Sequence, residues 1–185
     1  MKNSWTLLAI ILVMSCNQET FIPKPKGYMR PYLPAKTYQA FESNCPFEFE
    51  FHENASIRMR KDHYCWFTIQ YPQLKAEIHL TYKPVENNLS EYLSQTHKLA
   101  YDHHFKASNI LEKKIQEKDK DLYGLCYFLE GEVASNTQFF LTDSTDHFVR
   151  GSLYFNSKTQ PDSLAPYLSY INADIDRFIE SFKWK

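Results

Sequence analysis

Apolar and polar residues alternate along most of this chain, and a helical period takes over near its end. Residues 47–51 read Phe-Glu-Phe-Glu-Phe, three phenylalanines on one face and two glutamates on the other, which predicts a half-buried strand. Residues 64–71 (YCWFTIQY) predict a denser strand, apolar on both faces at its start. Pro72-Gln73 marks a turn, and residues 75–83 alternate again with Ala76, Ile78, Leu80 and Tyr82 inward, so the two runs predict an antiparallel hairpin. Asn88 and Glu91 have capping-box spacing, and Tyr92, Thr96, Leu99, Ala100 and His103 follow at helical spacing. Strands are expected over 110–118 and 122–133, joined by the charged, solvated loop 117–121. Residues 138–155 (QFFLTDSTDHFVRGSLYF) predict two aromatic-rich strands around a polar turn at 143–146. Asp162 or Ser163 then caps a helix with Pro166 in its first turn. Leu164, Tyr167, Leu168, Ile171, Ile175, Phe178, Ile179 and Phe182 give that helix one apolar stripe.

Strand faces and helix stripes must bury one another, so this order predicts an α+β domain over 41–185, a mainly antiparallel sheet packed with two helices. Its layering resembles the Mog1/PsbP-like α/β/α sandwich, an analogy of fold that carries no function.

The first forty residues follow a different plan. A short charged start and the apolar run 5–14 have the shape of a signal peptide over 1–15, too short to span a bilayer. The run ends in Leu-Val-Met-Ser-Cys, and a small residue directly before Cys16 resembles the bacterial lipobox, in which the cysteine thiol is lipidated. An ordinary secretory signal with an incidental cysteine is the alternative. Acyl chains contribute about 0.8 kcal/mol per buried CH₂, so a multiply acylated Cys16 would hold the protein on a membrane. Residues 16–40 then form a Pro-rich linker, with Tyr28, Arg30 and Tyr32 among prolines that keep it extended. It is a stalk, an arm packed back along the domain, or a strip for a partner.

Composition adds an aromatic share of 16%, which predicts an aromatic core, and a net charge of -1, with no basic face for nucleic acid. With Cys16 assigned to lipid, three cysteines remain for an oxidising compartment. Cys45 and Cys65 flank neighbouring strands and are the expected pair, and Cys126 lies in an apolar run as a buried small hydrophobe.

Catalytic signatures are missing. There is no HExxH, GxSxG, GxGxxG or phosphate loop, and the seven histidines, His52, His63 and His79 among them, form no cluster. His97 and His104 lie two turns apart on the first helix without a carboxylate at ligand spacing, so neither a metal nor another cofactor is expected. Ser144, His147, Asp143 and Asp146 contain the residue types of a triad, but in one tight turn where an oxyanion hole is hard to build. The turn reads as a self-capped corner whose carboxylates Arg150 neutralises, or as a recognition tip; Asp143, Asp146, His147 and Arg150 are the candidates there.

From Cys16 onward, PKPKGYMRPYLP, CPFEFEF, CWFTIQYP, EIHLTYK, HKLAYDHHFKAS, QFFLTDSTDHFVRGSLYFN and PDSLAPYLSYINADIDRFIESFKWK together resemble the GldD family of gliding motility lipoproteins. The resemblance is collinear over nearly all of the mature chain. It implies a lipid-anchored protein of the cell envelope of Bacteroidetes-type bacteria, exposed to the periplasm from the inner or the outer membrane. It also implies a tie to gliding and to the type IX secretion machinery, whose envelope proteins are the expected partners, and no known enzymatic activity. Two classes of function follow: a non-catalytic interaction or assembly subunit, or a periplasmic glycan-binding or hydrolytic accessory protein. The lack of converging chemical groups favours the first.

Overall fold

The computed structural model describes residues 31–102, 106–156 and 161–185. Three short strands come first, β1 (Tyr38–Ala40), β2 (Phe47–Glu48) and β3 (Glu50–His52). They are followed by β4 (Ser56–Met59), β5 (Phe67–Tyr71), β6 (Ala76–Pro84) and helix α1 (Leu89–Tyr101). Then come β7 (Ala107–Glu117), β8 (Leu122–Gly131), β9 (Thr137–Thr142) and β10 (His147–Phe155). Helix α2 (Pro161–Ser181) and β11 (Lys183–Trp184) complete the described chain.

The aromatic hairpin β9–β10 lies inside a seven-stranded antiparallel sheet of order β4-β5-β6-β10-β9-β8-β7. Gly151 faces Phe139 across this hairpin, and a Cβ at 151 would collide with the Phe139 ring, so the glycine marks a close approach. The β5–β6 and β7–β8 hairpins close alike, with one 3₁₀ turn and then a left-handed residue, Lys75 at φ 50° or Asp121 at φ 47°.

Alternation sends Ile69, Ile78, Leu80, Leu141, Val149 and Leu153 to one face, where Ile171, Ile175, Phe178 and Phe182 of α2 meet them. The small ribbons β1–β3 and β2–β11 extend this layer. The opposite face carries α1, which buries Ala100 against Tyr127 and Leu129 and sets Tyr92 against Phe148, ring centres 5.4 Å apart. The two helices therefore flank the sheet, as expected of this α+β chain.

Five local expectations change. α2 begins at Pro161, so Asp162 and Ser163 lie within its first turn and do not cap it. Residues 47–51 make two strands rather than one: β2 pairs with β11 and β3 with β1, so two partners divide the run at Phe49. The strand expected from Tyr64 begins at Phe67, because Cys65 sits in a turn at φ 53° with its sulfur bonded to Cys45, Cα–Cα 5.6 Å. Asn88 precedes α1 without capping it; its Oδ1 accepts the Glu86 N–H and its Nδ2 donates to the Tyr92 hydroxyl. Leu99 is 40% exposed, since α1 leans on the sheet through Thr96 and Ala100.

Candidate functional site

Two polar constellations stand out, one buried under α2 and one at the end of the sheet where the turns gather. The first grows from the periodicity of α2 itself. Tyr170, Asp174, Arg177 and Ser181 recur at helical spacing beside the apolar stripe and face the N-terminal ribbon. Asp174 is 3% exposed. Its Oδ1 accepts from Lys36 Nζ at 2.6 Å and from the Tyr38 hydroxyl at 3.0 Å, while Oδ2 is buried with no hydrogen-bond partner. Lys36 also donates to the Tyr170 carbonyl and lies 3.4 Å from the centre of the Tyr170 ring. Arg177 grips Glu50 through Nε and Nη2, and the Ser181 hydroxyl accepts the Glu50 N–H.

His52 completes this clasp. The Asn54 N–H donates to His52 Nδ1 at 3.0 Å, so the ring proton lies on Nε2, which donates to the Tyr170 hydroxyl at 2.7 Å. That hydroxyl in turn donates to the Pro34 carbonyl. Burial above all, then the Asp174 carboxylate, raises the Tyr71 hydroxyl far above its ordinary range. Burial lowers Lys36 from its usual value, against the pull of Asp174. The adjoining crevice, lined by Pro34, His52, Tyr71 and Tyr170, has a volume of about 10 Å³ and admits no more than a water-sized group. This is a fastening that lays residues 34–40 along the domain.

The second constellation contains the turn at 143–146. Asp143 Oδ1 accepts the N–H groups of Thr145, Asp146 and His147 at 2.9–3.0 Å. Thr142 Oγ1 accepts the Ser144 N–H and donates to the His147 carbonyl, which lets Ser144 adopt φ 73° without glycine. Burial would raise Asp143, but the three amides outweigh it and hold its carboxyl below the ordinary value. The turn meets the β7–β8 turn and the chain end at Lys183–Lys185, and together they bound an open groove of about 670 Å³. The His147 ring stacks on Trp184, and its Nδ1 meets the Tyr82 hydroxyl at 2.9 Å.

The candidates chosen from sequence do not all meet. Asp143 and His147 line the groove and Asp146 is exposed beside it. Arg150 does not neutralise the turn: strand alternation puts it on the α1 face, where its Nη2 donates to Gln138 Oε1 at 2.7 Å. Tyr32 is 92% exposed. Cys16, Tyr28, Arg30, His103 and His104 lie outside the described residues. Burial pushes the free Cys126 thiol up to about 12, so it is unsuited to nucleophilic work.

Sequence reading missed Asp174, Lys36 and the buried His52. The spacing of Tyr170, Asp174, Arg177 and Ser181 was a visible second stripe on the helix, but nothing local distinguishes it from a solvated face. Among the described residues, no three His, Cys, Asp or Glu side chains gather as a metal site, and no helix is long and apolar enough to cross a membrane.

No curated protein matches this chain. A family model does: that of the gliding motility lipoprotein GldD aligns with residues 18–184, which take in the clasp and all of the groove but Lys185. The chain belongs to the GldD family of gliding motility lipoproteins.

Proposed function

We propose that this lipid-anchored envelope protein of the gliding system acts as a non-catalytic interaction and assembly subunit, exposed to the periplasm and serving the associated type IX secretion machinery. The observation that carries this reading is the state of the groove. Its ionisable groups are largely committed to the fold: Asp143 to three amides, His147 to Tyr82 and Trp184, Lys120 to the Glu180 carbonyl, Lys185 to the Ser43 carbonyl. A general acid or base must be free to exchange a proton with a substrate. A docking surface needs only a fixed shape and a pattern of charge, which this groove has in Asp119, Asp121, Lys183 and Lys185 around Trp184.

The test is charge reversal at groove positions whose side chains hold nothing together. Asp119→Lys combined with Lys183→Glu in the full-length lipoprotein should stop colony spreading and reduce secretion of a type IX cargo, with protein abundance and melting unchanged. Normal spreading and normal secretion in that variant would remove the groove as the working surface.

A further inference from the structure

α1 covers only part of its face of the sheet. It rests on β8, β9 and β10, and meets β6 through Lys83, whose ammonium is 4.6 Å from the centre of the Tyr92 ring. Beyond that contact, cross-strand register lays out one row over five strands: Gln138, Ser152, His79, Thr68 and Arg58. Arg150 sits in the next row beside Thr81. α1 does not reach this part of the face, where Arg58, Arg60 and His79 are exposed and Thr68, Ser152 and Gln138 are buried.

Polar groups here are short of partners. Ser152 is 1% exposed and its Oγ makes no hydrogen bond; Arg150 Nε is buried and makes none either. Among the described residues no carboxylate pairs with Arg150, Arg58 or Arg60. The acid on the face is Glu77, already held by Gln70 at 2.9 Å and beside His79 at 3.4 Å. Burial lowers Arg150 from its ordinary value, opposed by the Tyr154 phenol and by no carboxylate. A guanidinium desolvated without a counter-charge is unfavourable, and an incoming anion relieves it.

We propose that this half of the sheet, left uncovered by α1, is the docking face for an acidic segment of a partner protein, one carboxylate of which is received by the partly exposed Arg150 guanidinium while Arg58 and Arg60 meet flanking acids. The inference rests on reading the chain as an interaction subunit, and it uses a different surface from the groove. The occupant is protein rather than bilayer. A membrane surface engages cations together with exposed apolar groups, whereas Met59, 45% exposed on the same edge strand, belongs by alternation to the opposite face. A side chain reaching down from a strand or loop fits a recessed guanidinium.

The experiment places a photocrosslinker beside the row, as Tyr154→benzoylphenylalanine in the full-length lipoprotein in living cells, and maps the crosslinked segment by mass spectrometry. That segment is then made as a peptide and titrated against the purified chain. A segment carrying Asp or Glu is expected. Arg150→Gln should weaken its binding tenfold or more and Arg150→Lys less, and neutralising the peptide's acid should add nothing further in the Arg150→Gln background. Crosslinks to phospholipid alone, no captured segment, a segment without acids, or equal binding to Arg150→Gln would each overturn the proposal. Lost peptide binding with normal gliding would keep the surface and remove its role in motility, so the two readings fail separately.

Discussion

Asp143 takes its donors from Thr145, Asp146 and His147, all within four residues, whereas Asp174 takes Lys36 and Tyr38 from 138 and 136 residues away. Both are acids that organise several groups around one oxygen. The first shapes a turn that would keep its geometry wherever the hairpin stood. The second joins the last helix to the segment leading out of the N-terminal side of the domain, so it fixes how the described arm meets the body. A local carboxylate therefore sets a surface, and a distant one sets an attachment.

Removing the distant carboxylate should be the larger injury. Asp174→Ala leaves Lys36 and Tyr38 without their shared acceptor, and breaking a buried charge pair costs about 3–5 kcal/mol. Lys36 keeps 30% of its side chain exposed, so about 3 kcal/mol is expected in urea unfolding. Hydrogen exchange should quicken over residues 36–40 and leave β9 and β10 protected. A uniform loss of protection would mean that the arm and the sheet unfold as one unit.

The pair can be separated from the packing by a double change. Replacing both ends of a buried ion pair by apolar groups is often neutral or stabilising. Lys36→Met with Asp174→Leu should therefore regain more than half of what Asp174→Ala loses, read as the urea midpoint at constant slope. If the double variant is as unstable as the single one, the clasp holds through hydrogen bonds to Tyr38 and Tyr170 more than through charge.

This contrast also explains what could be read from the chain alone. The turn was legible because its donors lie within the window that a pattern covers: Asp143, Thr142 and Ser144 bond one another or their neighbours. The sheet and the long helix were legible for the same reason, since periods of two and 3.6 are local. Asp174 was not, because its burial depends on a ribbon that returns from the far end of the chain. His52 does end strand β3, but its burial depends on β3 pairing with β1 and on its ring meeting the Tyr170 hydroxyl. Arg150 was misassigned through sequence nearness: His147 and Arg150 are three residues apart on one strand, and an odd step puts them on opposite faces.

Asp143 gives the smaller effect. Its side chain works like a helix N-cap, and losing such a cap costs about 1 kcal/mol, since water can reach the half-exposed amides. Asp143→Ala should stay near that figure in urea unfolding and leave the groove open, and a loss as large as that of Asp174→Ala would mean that the turn nucleates the hairpin.

The last distinction is in pH. The folded Asp143 carboxyl is held below its ordinary value, near 3.9 in an unfolded chain, because three amides favour the charged form more than burial opposes it. A depressed folded value adds stability that is fully present above the unfolded value and fades as pH falls through the folded one. Wild-type stability should thus drop below about pH 4 partly on account of this residue, and Asp143→Asn should flatten that part of the curve while costing less than Asp143→Ala near neutrality. Unfolding titrations of the two proteins from neutral pH to about pH 2 read the difference directly. Parallel curves would show that the three amides gain nothing from the charge on Asp143, and that the turn is held by backbone geometry alone.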